Sequence, residues 1–213
     1  PKNITIGVMV NAFELITHSS GYLNATRLMF KQAKKSKVKF VRLACHFEEF
    51  KITLKICKVL KRMGYLVTIN LMQISEQSEE RILSALKLAN NDGPDVLYFA
   101  DSLGGMNPPQ ISKIVELFRK NWKGSIGIHT HNNLGNAIAN SVTAIKLGVN
   151  WIDSTVTGMG RGPGNAQTEY LLIEMQNILK KEINILPLLK LIKIFFQPMQ
   201  QKYKWGQNPY YYL

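Results

Sequence analysis

The sequence predicts an α/β protein built on a parallel sheet. Short apolar or β-branched runs recur along it, an amphipathic helical pattern follows each, and the repeat is about thirty residues, the length of one βα unit. The runs are Ile4–Val10, Phe40–Cys45, Leu66–Met72, Val96–Asp101, Ile126–His131 and Trp151–Val156. Strands and helices alternating at this pitch give a parallel sheet, either open or closed into a barrel. Six units in 213 residues fall short of the eight units and roughly 250 residues of a full barrel. The periodicity alone therefore leaves an open doubly wound sheet as a rival. Against that rival, no glycine-rich turn follows the first run, where a dinucleotide fold would place one.

The helices are marked by their ends. Asn107 is a good N-cap, Pro108 stands where a first-turn proline is tolerated, and Ile111, Ile114, Val115 and Phe118 make one apolar face. A later helix has Ile138, Val142 and Ile145 on one side and Gly148 to end it. The most apolar stretch, Ile183–Phe196, is interrupted by Pro187, Lys190 and Lys193, and is expected to be an amphipathic helix packed on the body. No run approaches the roughly 18 uncharged apolar residues of a membrane span. Pro1-Lys2-Asn3-Ile4 lacks the charged-then-apolar design of a secretory signal.

Composition narrows the classes further. A hydrophobic content of 46% is ordinary for a globular chain with a buried core. Cys45 and Cys57 are too few for a disulfide framework, which points to a reducing, cytoplasmic setting, and neither has an adjacent base to activate it. The net charge of +13 raises the question of nucleic acid. However, the lysines are spread among helices (Lys31, Lys34, Lys35 and Lys37; Lys51, Lys55, Lys58 and Lys61), with no stripe interleaved with aromatics. A solvated basic surface, congenial to an anionic substrate, is the expectation.

The sharpest feature is Gly127-Ile128-His129-Thr130-His131-Asn132-Asn133. Strand side chains alternate, so His129 and His131 share a face with Gly127, while Ile126, Ile128 and Thr130 point oppositely, toward covering helices. Two imidazoles together at the C-terminal end of a parallel strand are poor core filling but good ligands for one divalent cation. The loop Thr157–Ala166 follows the last run and has four glycines in seven residues, Gly158, Gly160, Gly162 and Gly164, which let backbone approach a ligand closely. Asn165 could offer its amide oxygen to the metal. In Tyr98–Gly105, Asp101 and Ser102 stand at another strand end. Asp101 is either catalytic or a cap, and Ser102 with the glycine amides is placed to hold a carboxylate. By alternation Arg42, Ala44 and His46 share a face, and an ion pair or a substrate contact would serve Arg42 equally. His18 is expected in a surface loop.

Together, His129-x-His131-Asn132-Asn133, Gly158-Met159-Gly160-Arg161-Gly162-Pro163-Gly164-Asn165-Ala166 and Ala100-Asp101-Ser102-x-Gly104 resemble the HMG-CoA-lyase-like (DRE-type) metal-dependent TIM-barrel family, from about Phe40 to Ile178. Members include isopropylmalate and homocitrate synthases, HMG-CoA lyase and 4-hydroxy-2-oxovalerate aldolase. The aldolase branch is the nearer, because Asn133 stands where synthases carry an acid. The resemblance implies an incomplete (β/α)8 barrel plus C-terminal helices, with residues 1–180 the partial catalytic domain and 181–213 a helical extension, itself truncated. It implies that His129 and His131 bind Mn2+ (or Mg2+, Co2+ or Zn2+), with Asn165 in or beside the coordination shell. The catalytic candidates are Asp101, His46 and Arg42, and the substrate-binding ones are Ser102, Gly104, Asn133, Gly160 and Gly162.

The implied reaction makes or breaks a carbon–carbon bond beside a 2-oxo acid, with a small 2-oxo acid and an aldehyde as substrates. An aldehyde dehydrogenase partner or a homo-oligomer is open; a membrane partner is not expected. The family's first strand carries an Arg-Asp pair that has no counterpart here, so the expectation is an internal fragment lacking two βα units. Such a fragment would bind metal weakly and not turn over. An acyl-CoA-condensing synthase and a non-catalytic basic binding module are the alternatives.

Overall fold

A computed structural model describes residues 4–91, 93–208 and 210. The Tyr-rich end of the sequence, at Pro209 and Tyr211–Leu213, lies outside the described residues. Six strands, β1 (Ile6–Asn11), β2 (Val38–Cys45), β3 (Leu66–Leu71), β4 (Val96–Asp101), β5 (Ser125–Thr130) and β6 (Trp151–Ile152), belong to one sheet in sequence order. The β1–β2, β2–β3, β3–β4 and β5–β6 pairs are all parallel. Between and after them come helices α1 (Ala12–Ile16), α2 (Tyr22–Met29), α3 (Phe50–Arg62), α4 (Glu79–Ala89), α5 (Pro108–Asn121), α6 (Ala137–Lys146), α7 (Thr168–Leu179), α8 (Leu186–Leu191) and α9 (Gln197–Tyr203).

The chain divides into two units. One holds Pro1–Phe99 with Phe118–Ile126, the other Ala100–Leu117 with Gly127–Leu213. In the first, Val41, Leu43, Val67, Ile69 and Leu71 are fully buried beside Ile56, Cys57 and Leu60 of α3. This is the two-sided burial of a parallel sheet, and it explains why these strands are runs of apolar residues with little polar alternation. Phe99 and Phe118 meet with ring centroids 5.2 Å apart. Both thiols are buried, and burial pushes each up to about 12. Lys51, Lys55, Lys58 and Lys61 line the exposed face of α3. The stretch 31–37 is not helical: α2 ends at Met29, and only a 3-10 turn at Ala33–Lys35 follows. His18 is exposed.

The α5 cap is a reciprocal one. Asn107 Oδ1 accepts from the Gln110 N–H at 3.1 Å, while Gln110 Oε1 accepts from the Asn107 N–H at 2.9 Å. Asn107→Ala should lower stability by about 1 kcal/mol, measurable as a shift in the urea midpoint with unchanged slope.

Three further expectations need correction. The sixth strand pairs only through Trp151 and Ile152, and Val156–Gly158 is a 3-10 turn. Past Asp153 the chain turns from β5 to the returning segment, the Thr155 N–H donating to the Ala166 carbonyl at 3.0 Å. On α6 the buried residues are Ala137, Asn140, Ser141 and Ala144, with Ile138, Val142 and Ile145 half-buried. Small residues let α6 lie close: Thr130 Oγ1 is 3.1 Å from Ser141 Oγ and donates to the Ala137 carbonyl at 3.3 Å. Finally, Ile183–Phe196 is not one packed helix. It contains α8 and a π-helical turn, Ile192–Phe196, with no buried residue in either, and Leu186, Ile194 and Phe195 are exposed. No helix among the described residues is long and apolar enough to cross a membrane.

Candidate functional site

The second unit gathers most of the residues singled out in the sequence. β5 ends at Thr130, and His131 continues its line. Thr130 turns its hydroxyl to α6, which leaves His129 and His131 on the opposite face, as strand alternation requires. Their Nε2 atoms are 3.3 Å apart and the rings meet edge to face.

Asp153, immediately after β6, carries no motif signal of its own. Its Oδ2 lies 2.8 Å from His129 Nδ1. A carboxylate there holds the proton on Nδ1 and turns the Nε2 lone pair toward His131. The sequence signal for Asp153 is one of position alone: it follows Trp151 by two residues, just past a strand adjoining β5. His131 is pushed down to about 4, first by burial, then by the neighbouring His129 and Arg161, with the Gly164 backbone acting the other way. Its imidazole is therefore neutral at ordinary pH.

The glycine loop returns antiparallel alongside His131. The Asn132 N–H donates to the Gly164 carbonyl at 2.9 Å, the Ala166 N–H to the Thr130 carbonyl at 3.2 Å, and His131 and Asn165 form an isolated antiparallel bridge. Asn165 Nδ2 donates to the Met159 carbonyl at 3.1 Å. Its Oδ1 is shielded from solvent and has no hydrogen-bond partner among the described residues. A Cβ at Gly160 would lie 2.3 Å from Asn165 Nδ2, so only glycine leaves room for this amide. Gly162 accepts from the Gly206 N–H at 3.0 Å and has φ +57°.

Asp101 is fully buried at the end of β4. Its Oδ1 accepts from the Gly105 N–H at 3.2 Å and its Oδ2 from the Met106 N–H at 3.1 Å. Burial pushes the carboxyl up, and these amides oppose the shift. The Asp101 carbonyl accepts the His131 N–H at 3.3 Å, which ties this turn to the imidazole pair. Gly104, at φ +60°, packs on Asn133, whose backbone N and Oδ1 would each be 2.6 Å from an added Cβ. Ser102 is half-buried in the same turn.

Arg42 and His46 belong to the first unit. Arg42 stacks its guanidinium 4.0 Å from the Tyr98 ring centroid, and the His46 N–H donates to Glu49 Oε2 at 3.0 Å, ahead of α3.

The family model for HMGL-like proteins matches residues 24–194. The chain belongs to the HMGL-like family. Among curated relatives, 4-hydroxy-2-oxovalerate aldolase from Bacillus thuringiensis is 36% identical over 142 residues, covering 67% of this chain and 42% of that protein. The protein of the same name from Geobacillus thermodenitrificans is 33% identical over 170 residues, 79% of this chain and 50% of that protein. The chain thus spans half or less of the length of these relatives. Among solved structures, the N-terminal domain of an inferred aldolase from Bacteroides vulgatus superposes with a TM-score of 0.81 at 29% identity, over 98% of this chain and 67% of that one. HMG-CoA lyase from Bacillus subtilis superposes with a TM-score of 0.75 at 18% identity, over 97% of this chain and 72% of that one, a likeness of fold alone. The six βα units of this HMGL-like chain are those of an incomplete (β/α)8 barrel, which removes the doubly wound rival.

Proposed function

We propose that the HMGL-like protein carrying this chain is a divalent-metal-dependent aldolase that cleaves or forms the bond beside a 2-oxo acid. The observation that carries the reading is the pair of Nε2 atoms 3.3 Å apart, with Asn165 paired to His131 across an isolated antiparallel backbone bridge. Two imidazole nitrogens, each about 2.1 Å from one cation, stand roughly 3.0–3.4 Å from each other. The shielded Asn165 Oδ1 is a further oxygen donor in search of a partner, and the Gly160 clearance keeps it in place. The residues therefore fit a cation such as Mn2+, with His129, His131 and Asn165 holding it. Among the described residues no group of three or more His, Cys, Asp or Glu converges. In the full-length protein we assign the remaining acidic ligand to the Arg-Asp pair that the family carries on its first strand.

A cation held there supplies Lewis-acid polarisation of the substrate's 2-oxo group, where negative charge collects as the carbon–carbon bond breaks. The chain's own residues do the rest. Asp153 fixes the tautomer of His129. Burial keeps His131 neutral, the form in which an imidazole can hold a cation. We assign Asp101 to positioning: its carboxylate is taken up by turn amides, and its carbonyl steadies His131. We assign Ser102, Gly104 and Asn133 to the substrate carboxylate, and Gly160 and Gly162 to the glycine-loop wall of the site. Arg42 and His46 enter no assigned step. The substrates would be a small 2-oxo acid and an aldehyde, and the setting cytoplasmic. Relatives at 33–36% identity named as aldolases favour this reading over an acyl-CoA-condensing synthase.

The test is release of pyruvate from 4-hydroxy-2-oxovalerate by the full-length protein, with and without chelator. Chelator-sensitive release supports the reading, and release that survives removal of metal contradicts it. Asp153→Asn should weaken Mn2+ binding about 10–100-fold, the usual effect of losing an outer partner of a histidine ligand, measured by calorimetric titration.

A further inference from the structure

Thr157, at the head of the glycine loop, has φ +56° and ψ +20°. A β-branched side chain adopts this left-handed conformation only where its surroundings over-determine it. Here both backbone polar groups are held by side chains. The Thr157 N–H donates to Glu169 Oε2, on α7, at 3.0 Å. The Thr157 carbonyl accepts the Trp205 indole N–H at 3.2 Å. Both Thr157 and Trp205 are buried.

The segment that delivers Trp205 is itself tied to the loop. Gln200 Nε2 donates to the Trp205 carbonyl at 3.2 Å, and the Gly206 N–H donates to the Gly162 carbonyl at 3.0 Å. The π-helical turn Ile192–Phe196 packs on Val156–Gly158. A stretch with glycine at every second position from 158 to 164 has little conformational preference of its own. The direction in which it leaves Thr157 therefore decides where Asn165 arrives.

We propose that Trp205, with Glu169, is a positioning residue of the site. It clamps Thr157 in the left-handed conformation and so sets the course of Gly158–Gly164 that brings Asn165 into its backbone bridge with His131. The C-terminal segment then acts as the frame of the glycine loop. Its functional consequence, though not the clamp itself, rests on the reading of His129, His131 and Asn165 as cation ligands.

The experiment compares Trp205→Phe, Thr157→Gly and the double variant in the full-length protein, by amide hydrogen exchange and by Mn2+ binding followed through its paramagnetic resonance signal. Trp205→Phe keeps an aromatic ring in place and removes the indole donor. It should speed exchange of the 158–166 amides about tenfold, leave the β5 amides unchanged, and weaken Mn2+ binding about tenfold. Glycine takes the left-handed conformation without a clamp, so in the Thr157→Gly background Trp205→Phe should change either readout less than about threefold. A purely structural tryptophan would loosen amides throughout the unit and would not be rescued. Loop exchange at the wild-type rate in Trp205→Phe would overturn the clamp. So would an effect of Trp205→Phe that is equal in the wild-type and Thr157→Gly backgrounds. A wild-type protein that binds no Mn2+ would overturn the metal reading instead, and the exchange data alone would still decide the clamp.

Discussion

Replacing His131 with alanine is expected to weaken Mn2+ binding by at least about 100-fold and to abolish metal-dependent turnover. Losing an outer-shell partner of a metal ligand already costs about 10–100-fold, so losing the ligand itself belongs at or beyond the top of that range. His131 contributes one of the two Nε2 atoms that face each other at 3.3 Å. The substitution should leave the fold intact. The backbone N–H of residue 131 keeps its bond to the Asp101 carbonyl, and the side chain is only half-buried. Calorimetric titration with Mn2+, paired with a thermal melt, checks both halves. Unchanged affinity in a folded variant would remove His131 from the ligand set.

Gly164→Ala is expected to have a comparable effect by a different route. Gly164 has φ +83°, and a Cβ there would fall 2.1 Å from the Gly158 carbonyl oxygen. A side chain in the left-handed region costs roughly 1–2 kcal/mol, and the collision with backbone adds to it because no flexible side chain can give way. The Gly158 carbonyl is also the acceptor for the Asn165 N–H at 3.1 Å, and the Gly164 carbonyl the acceptor for the Asn132 N–H at 2.9 Å. Moving either takes Asn165 out of its bridge with His131. Mn2+ affinity should fall about 100-fold, equivalent to about 2.7 kcal/mol, with faster amide exchange in the loop. An alanine variant with a wild-type loop and affinity would show that the backbone here is free to shift.

The parts legible in the sequence were those governed by short-range periodicity. A period of two placed His129 and His131 on one face, and the regular spacing of apolar runs located each strand to within a residue or two, except the last. There the chain leaves β5 after Asp153 because its next backbone partners are on the returning loop, a pairing that no local pattern records. On α6, hydrophobicity pointed to Ile138, Val142 and Ile145. The buried face is small and polar, because close approach and the Thr130–Ser141 hydrogen bond decide it. The apolar residues of Ile183–Phe196 suggested a buried face, and none is buried: Leu186, Leu189, Leu191, Ile194 and Phe195 are exposed and the others half-buried.

Within the site, motif residues were visible while their supports were not. Asp153 falls inside the apolar run Trp151–Val156 of the sequence, and its role appears only when β6 lies beside β5. Trp205 is 48 residues from Thr157, and threonine's preference for extended backbone conceals the left-handed conformation that makes the tryptophan matter. Asp101 was open between chemistry and capping, and it took the positions of the Gly105 and Met106 amides to show where its oxygens are directed.

If the imidazole pair holds a cation that would polarise a 2-oxo group, as proposed, the protein should act on the 2-oxo acid alone. The most direct test is exchange of pyruvate methyl protons for deuterium, followed by mass spectrometry, on the full-length protein and its His131→Ala variant. No aldehyde need be known. The expected result is exchange that requires Mn2+, stops with chelator and is lost in His131→Ala. A folded full-length protein that binds Mn2+ yet leaves the methyl protons in place would contradict it.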